Sequence, residues 1–141
     1  MARATEILVT LPGGRRVDAR VGHHLIHTDQ PTTNGGEDTA PAPFELFLAS
    51  IGACAGIFVQ GFCAKRGIPF ENIRIFERPN IDDDGVLRSV GLEIDLPADF
   101  PERYKDAVIK VAGRCTVKAA IAAQPVFEVT AKLRTPLLAH A

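Results

Sequence analysis

The sequence predicts an α+β fold in which a mainly antiparallel sheet packs on a long, buried central helix. Two observations support this prediction. The segment Pro43–Ala64 is predominantly apolar, begins with a proline and is followed by Lys65-Arg66-Gly67. On both sides of it, apolar and polar residues alternate between turn-forming Gly, Pro and Asp residues, a pattern typical of strands. The 141 residues are expected to form one domain, residues 1–141.

Three strands are predicted before the helix. Residues Ala4–Leu11 alternate as a half-buried strand does, and Pro12-Gly13-Gly14 is a strong turn signal. Arg15–Val21 can return as the hairpin partner, and His23–His27 forms a third short strand. The segment Thr28–Ala42, rich in Thr, Gly, Pro and Asn, is a loop of about fifteen residues, and loops of this length are often functional.

The central helix is expected to begin at Pro43, because the missing N–H of proline is not needed in the first turn. It should run to about Arg66 and end at Gly67. Two strands, Asn72–Arg78 and Val86–Leu96, then form a hairpin around an Asp-Gly turn.

Two helices and a strand complete the predicted order. A helix over about Pro101–Ala112 is expected to have Asp99 as its N-cap. A short helix over Cys115–Ala123 ends before Pro125, and Val126–Leu133 closes the chain as a strand.

Charge and composition exclude several classes of protein. Lys and Arg number 16 and Asp and Glu 17, for a net charge of −1, unlike the basic surface of a nucleic-acid-binding domain. An odd number of cysteines and an N-terminus without an apolar signal region favour a cytoplasmic protein. The 19 residues of Leu46–Ala64 could span a membrane, but their many small residues favour a buried core helix.

Two cysteines lie in unlike settings. Cys54 lies among Gly and Ala residues inside the central helix, and Cys115 begins a predicted helix between Arg114 and Lys118. A thiol at a helix N-terminus beside cations is biased towards the nucleophilic thiolate, so Cys115 looks better activated by its own neighbourhood. A reactive Cys54 would need a nearby cation. The alternatives are a buried, inert thiol at Cys54 and a small cap residue at Cys115.

The third cysteine and the histidines are assigned no chemistry. Cys63 follows Cys54 by nine residues, so it points to the opposite face about 13 Å along the helix and is interpreted as structural. On a strand, His23 and His27 would share a face about 13 Å apart while His24 faces away, so no metal site is expected.

Two stretches of the chain resemble a known family. Ala42–Cys54 reads Ala-Pro-Phe-Glu-Leu-Phe-Leu-Ala-Ser-Ile-Gly-Ala-Cys, and Cys115 is followed by Thr116-Val117. The first is similar to the Pro-x-Glu-Leu…Ala-x-x-x-Cys helix of the OsmC/Ohr family, the osmotically inducible and organic hydroperoxide resistance proteins. The second stands at the place of that family's Cys-Pro-Val. The sequence is closer to the OsmC-like branch, because Phe44 occupies the position of the glutamate in the best-known hydroperoxide reductases.

The resemblance implies an OsmC-like fold, an intertwined homodimer and a site built from both subunits. Cys54 would be the peroxidatic cysteine and Cys115 the resolving one. Arg15, in a Gly-Gly-Arg turn, would stabilise the Cys54 thiolate in preference to Arg16 or Arg20. Glu45 would hold that arginine, but it lies one position after the family glutamate, which turns its side chain by about 100°. Favouring the helix N-terminus electrostatically is the alternative role for Glu45.

The implied function is a thiol-dependent peroxidase for organic hydroperoxides, with no cofactor. An external dithiol, of the lipoyl type in the hydroperoxide branch, would reduce the resulting Cys54–Cys115 disulfide. An apolar alkyl group would be bound by Phe44, Phe47, Ile51 and Phe58. The main alternative is a non-enzymatic, dimeric OsmC-like protein that binds a small molecule or senses redox state. Acyl or sulfur transfer through Cys54 is a third possibility, and neither a nucleic acid nor a membrane is an expected partner.

Overall fold

The computed structural model describes residues 6–135, so Ala4 and Thr5 of the first predicted strand lie outside the described residues. Both sheets are antiparallel: three strands in the order β1-β2-β3, and a β4-β5 hairpin. The predicted α+β class is therefore confirmed. The elements, in chain order, are β1 (Ile7–Gly13), β2 (Arg16–Val21), β3 (His24–Thr28), α1 (Pro43–Ala64), β4 (Arg74–Ile81), β5 (Leu87–Asp95), α2 (Lys105–Ala112) and α3 (Thr116–Ala122).

The N-terminal sheet is a separate layer of this chain. Its first turn is formed as predicted, with Gly13 and Gly14 at φ values of 139° and 59° that favour glycine. The sheet makes no extensive contact with the helices or with the β4-β5 hairpin. Apolar side chains therefore remain more than half exposed along β1; they are Ile7, Leu8, Val9 and Leu11.

The core lies along one face of α1. Every fourth residue from Ile51 to Cys63 is buried, which is the spacing of a single helix face. Ala55, Val59 and Cys63 of this face form one apolar cluster with Ile68, Val108 and Ala112. The helix was expected to be buried all round, but within one chain the opposite face is open, and Ile57 is 66% exposed.

One helix of the described residues, α1, is long and apolar enough to cross a membrane, with a mean hydropathy of 1.9. The core helix of a soluble protein passes the same test. In this chain α1 packs one face on α2, α3 and β4, and 28% of its most apolar stretch is buried.

Two predictions in the C-terminal half are wrong for the single chain. Asp99 does not cap α2, which follows a 3₁₀ turn and has Tyr104 at its N-cap. Pro101 offers no N–H to an Asp99 cap, and this explains the later helix start. The predicted strand Val126–Leu133 does not form, and Val129 is 95% exposed. This segment has a strand pattern but pairs with no strand among residues 6–135.

A single carboxylate organises the loop between β3 and α1. Asp29 is only 1% exposed and accepts hydrogen bonds from the backbone N–H groups of Gln30 (2.8 Å), Glu37 (3.3 Å) and Thr39 (3.1 Å). It also accepts one from the Thr39 hydroxyl at 2.7 Å. A Cβ on Gly36 would collide with the Gln30 carbonyl, so glycine is required at this close approach. The loop that leads into α1 is therefore held in one conformation by these hydrogen bonds.

The stability of this loop is expected to depend on the ionisation of Asp29. The hydrogen bonds from Thr39, followed by those from Gln30 and Glu37, lower the pKa of Asp29 from 3.8 to about 2. Because the pKa is lower in the folded state, the stabilisation is fully present above about pH 4 and is lost as the pH falls through about 2. We expect Asp29→Asn to lower the urea midpoint near neutral pH, with the difference from wild type shrinking as the pH approaches 2.

The matched control for that experiment is Asp38→Asn in the same loop. Asp38 has φ 55°, which asparagine tolerates, and its carboxylate accepts no hydrogen bond among the described residues. A difference between wild type and Asp29→Asn that does not change with pH would contradict the assignment.

Candidate active site

The fold brings the sulfur of Cys54 to the start of α3. Cys54 lies three turns into α1 and is partly exposed. The backbone N–H of Val117 donates to it and is the largest influence lowering its pKa, against the opposing effect of burial. The Cys115 side chain, the N–H of Thr116 and, least of all, the charge of Lys118 also lower the pKa. Cys54 is therefore biased towards thiolate, the nucleophilic form.

This arrangement changes the sequence-based interpretation of the two thiols. The start of the later helix was expected to activate Cys115, but the N–H groups of Thr116 and Val117 act on Cys54, and that of Lys118 donates to Cys115. A cation was expected to be necessary for a reactive Cys54, yet backbone N–H groups have the larger effect. Sequence reasoning missed Thr116 and Val117, because their side chains take no part and only the packing of α3 on α1 reveals them.

Cys115 is the N-cap residue of α3 and is 2% exposed. Its sulfur accepts the N–H of Lys118 at 3.4 Å and lies 3.8 Å from the carbonyl oxygen of Ile51. The single S–H proton of Cys115 can be directed at that carbonyl or at the sulfur of Cys54. The Cys115 side chain is close enough to help lower the pKa of Cys54, and both thiols are free.

Cys63 lies in the core with no exposed surface. Burial raises the pKa of its thiol above the ordinary value. An inert, structural Cys63 is consistent with both observations.

The predicted charged residues are not next to Cys54 within one chain. Glu45 lies in the first turn of α1, where its Oε2 accepts the N–H of Ala42 at 2.8 Å. Arg15 is exposed in the turn between β1 and β2. The ion pairs found among residues 6–135 include neither of them. The catalytic roles of Arg15 and Glu45 remain predictions.

The family model for OsmC-like proteins matches residues 35–130, which is more than half of the chain and includes Cys54 and Cys115. The chain belongs to the OsmC-like protein family. A comparison with curated proteins gave no match.

Solved structures of OsmC-like proteins share the fold. A Psychrobacter arcticus protein, described as an osmotic stress induced and detoxification response protein, superposes with a TM-score of 0.72 at 20% identity, covering 85% of this chain and 90% of that one. An OsmC like protein from Mycoplasma pneumoniae gives 0.68 at 17% identity, covering 86% and 89%. An organic hydroperoxide resistance protein from Vibrio cholerae, with captopril bound in one active site, gives 0.60 at 19% identity, covering 86% and 87%. At these identities, the likeness shows the fold alone.

The apolar residues predicted to bind substrate lie along α1 on either side of Cys54. The rings of Phe44 and Phe47 stack with centroids 5.8 Å apart and are partly exposed. Ile51 is buried, and its carbonyl faces Cys115. Phe58 is half-buried one turn after Cys54. Their role in this OsmC-like protein remains a prediction.

A cavity of about 490 Å³ lies between α1, β5 and α2. Its walls include Ile51 and Lys118, both of which contact Cys115. Most of the remaining lining is apolar, with Val90, Leu92 and Ile94 from β5. The buried side of the cysteine pair thus borders an apolar space.

No group of three His, Cys, Asp or Glu side chains in residues 6–135 is placed to hold a metal ion. His27 instead pairs with Asp18 across β2 and β3, with Nδ1 2.9 Å from Oδ1.

Proposed function

We propose that this protein is a thiol-dependent peroxidase that reduces organic hydroperoxides through Cys54. The observation that supports it most is the contact of the Cys54 thiol with two backbone N–H groups of α3 and with Cys115. The first contact favours the attacking thiolate, and the second places a resolving thiol beside it. Membership of a family that includes organic hydroperoxide resistance proteins is consistent with this chemistry.

The proposed reaction has two steps. The Cys54 thiolate attacks the O–O bond of the hydroperoxide; the alkoxide leaves and takes up a proton, giving the alcohol and a Cys54 sulfenic acid. The Cys115 thiol then displaces the sulfenic hydroxyl as water, and the Cys54–Cys115 disulfide forms. An external dithiol of the lipoyl type restores both thiols, without a resident cofactor. We place this chemistry in the cytoplasm, where such thiols are kept reduced.

The first test is a comparison of substrates. The apolar side chains beside Cys54 should favour an alkyl hydroperoxide, so the reduced protein is expected to consume cumene hydroperoxide faster than hydrogen peroxide. Rapid-quench mixing with measurement of the remaining peroxide checks this. A rate with cumene hydroperoxide no greater than that of free cysteine would exclude the peroxidase.

A second copy of the chain is proposed to complete the site. The exposed apolar residues of β1 and the unpaired segment Val126–Leu133 have the composition of interface strands. In that segment, Phe127 and Val129 share one face and are 87% and 95% exposed. An intertwined homodimer would cover these residues and the open face of α1. It would also allow Arg15 of the partner subunit to approach Cys54.

A buried carboxylate oxygen supports the same proposal. Glu77 lies opposite Leu92 on the inner side of the β4-β5 hairpin. Its Oε1 is buried with no hydrogen-bond partner among residues 6–135. Its Oε2 occupies the space left by Gly52, 2.5 Å from where a Cβ would lie. An unpaired buried oxygen keeps its full desolvation cost, which a donor from a second copy would offset.

The dimer predicts a mass of twice the 15.2 kDa of the chain in sedimentation or light-scattering measurements. Phe127→Lys places a charge on the apolar face of the C-terminal segment. It is expected to weaken association by about thirtyfold or more, as for the loss of a buried aromatic at an interface. Glu128→Lys is the matched control, because residue 128 lies on the other face of an extended segment. Equal dissociation constants for the two variants would contradict the proposed interface.

A dimeric OsmC-like protein that binds a small molecule or senses redox state is the second candidate. The position of Glu45 favours it, because this carboxylate bonds to the N–H of Ala42 and pairs with no arginine among the described residues. A Cys54 pKa near the ordinary value of about 8.5, together with an absence of peroxide turnover, would support this candidate.

A further inference from the structure

We propose that the external reductant attacks the Cys54 sulfur of the Cys54–Cys115 disulfide, and that Cys115 is the leaving group. The inference depends on the proposed function only for the existence of that disulfide. It specifies which cysteine carries the mixed disulfide with the reductant during turnover.

Access to the two sulfurs is the first argument. Attack on a disulfide requires the incoming thiolate to reach the sulfur itself. Cys115 is 2% exposed and lies between α3 and the Ile51 carbonyl, whereas Cys54 is partly exposed. A second copy of the chain can only add cover to Cys115, whereas the peroxidase proposal requires Cys54 to stay open to the hydroperoxide. A path to this sulfur would therefore require local opening of the start of α3.

Leaving-group chemistry acts in the opposite direction. A thiol of lower pKa leaves faster, and the N–H groups of Val117 and Thr116 stabilise a thiolate at Cys54. Attack at Cys115 would expel this favoured thiolate. Cys115 is not a poor leaving group, however, because its sulfur accepts the Lys118 N–H at 3.4 Å and so has a donor for the negative charge. Access therefore decides which sulfur is attacked. A buried sulfur that the reductant cannot reach is not attacked, even if the other cysteine is the better leaving group.

The reductant thiolate forms a bond to the Cys54 sulfur, the Cys54–Cys115 bond breaks, and the electron pair passes to Cys115, which takes a proton from solvent. The second thiol of the dithiol then attacks the reductant sulfur of the mixed disulfide. Cys54 leaves as thiolate, and the dithiol closes to its own disulfide after donating two electrons and two protons.

The site of attack can be mapped without peroxide. The Cys63→Ala variant is oxidised with diamide, exposed briefly to 2-mercaptoethanol or glutathione, quenched in acid and analysed by peptide mass spectrometry. We expect the thiol adduct on Cys54 and a free thiol at Cys115 with both reagents. An adduct on Cys115, or a failure of diamide to form the Cys54–Cys115 disulfide, would overturn the inference. Because diamide replaces the hydroperoxide, loss of peroxidase activity alone would not produce either result.

A second measurement tests access directly. In a Cys63→Ala background, Cys115→Ser leaves Cys54 as the remaining cysteine, and Cys54→Ser leaves Cys115. We expect Cys54 to react with an aromatic disulfide reagent about 100-fold faster than Cys115, since Cys115 must wait for local opening. The ratio should collapse in urea, where both thiols are open to solvent. Similar rates in the folded proteins would contradict the argument from burial.

Discussion

Replacing Cys54 by serine is expected to abolish peroxide reduction, whereas replacing Cys115 is expected to allow a single turnover. The reason is the division of roles in the site. The N–H groups of Thr116 and Val117 lower the pKa of the Cys54 thiol, and Cys115 is the thiol beside it. Without Cys54 no activated nucleophile remains, because Cys115 is 2% exposed and Cys63 is fully buried. The expected loss of rate for Cys54→Ser is at least about 1000-fold, the scale on which removal of a nucleophile acts.

Intact-mass analysis after one equivalent of cumene hydroperoxide distinguishes these states. Wild type is expected to lose about 2 Da as two thiols become a disulfide. Cys115→Ser should gain about 16 Da, the mass of one oxygen, or more if the sulfenic acid oxidises further. Cys54→Ser should be unchanged. Cys63→Ala is the control, because Cys63 lies in the core away from the pair, and this variant should lose the same mass as wild type.

Three outcomes would contradict the assignment. A disulfide that survives in Cys115→Ser would mean that another thiol resolves Cys54. A covalent adduct other than sulfenate or disulfide would favour acyl or sulfur transfer. If wild type is inert to hydroperoxide but binds a small apolar molecule, the non-enzymatic candidate is favoured.

Much of the fold is encoded in local sequence signals. The helix α1 begins at Pro43 as predicted, and Gly67 adopts a φ of 63° just after its end. The β4-β5 hairpin turns at the predicted Asp-Gly, where Gly85 has φ 79°. Each of these features depends on the backbone preferences of one or two residues, so neighbouring residues suffice to predict it.

Features that depend on distant parts of the chain were not predictable in the same way. The alternation of Val126–Leu133 is typical of a strand, but a strand also needs a partner, and this segment pairs with none of the strands among residues 6–135. The exposure of the apolar outer face of α1 was not predicted for the same reason, because it too depends on a packing partner. The activation of Cys54 depends on the crossing of α1 and α3, which the order of residues does not specify. The helix N-terminus was located correctly from sequence, but the effect of its first two N–H groups on Cys54 was not predicted.

Proline substitutions at the start of α3 test that last point. Thr116 and Val117 are the first two residues of this helix, where proline is tolerated because the N–H groups have no partner within the helix. Each substitution removes one N–H from Cys54. The N–H of Val117 lowers the pKa of Cys54 more than that of Thr116. We therefore expect Val117→Pro to raise the pKa of Cys54 more than Thr116→Pro does.

The matched pair isolates the backbone hydrogen bond from other effects of proline. The rate of Cys54 alkylation by iodoacetamide, followed against pH in a Cys63→Ala background, gives the pKa. At a pH below the pKa, each unit of increase reduces the thiolate fraction about tenfold, and peroxide reduction should slow in parallel. Thr116→Pro also creates the Cys-Pro-Val of the family, so it should fold and keep most of the activity. Titration curves that match wild type in both variants, each folded by circular dichroism, would show that the backbone of α3 does not activate Cys54.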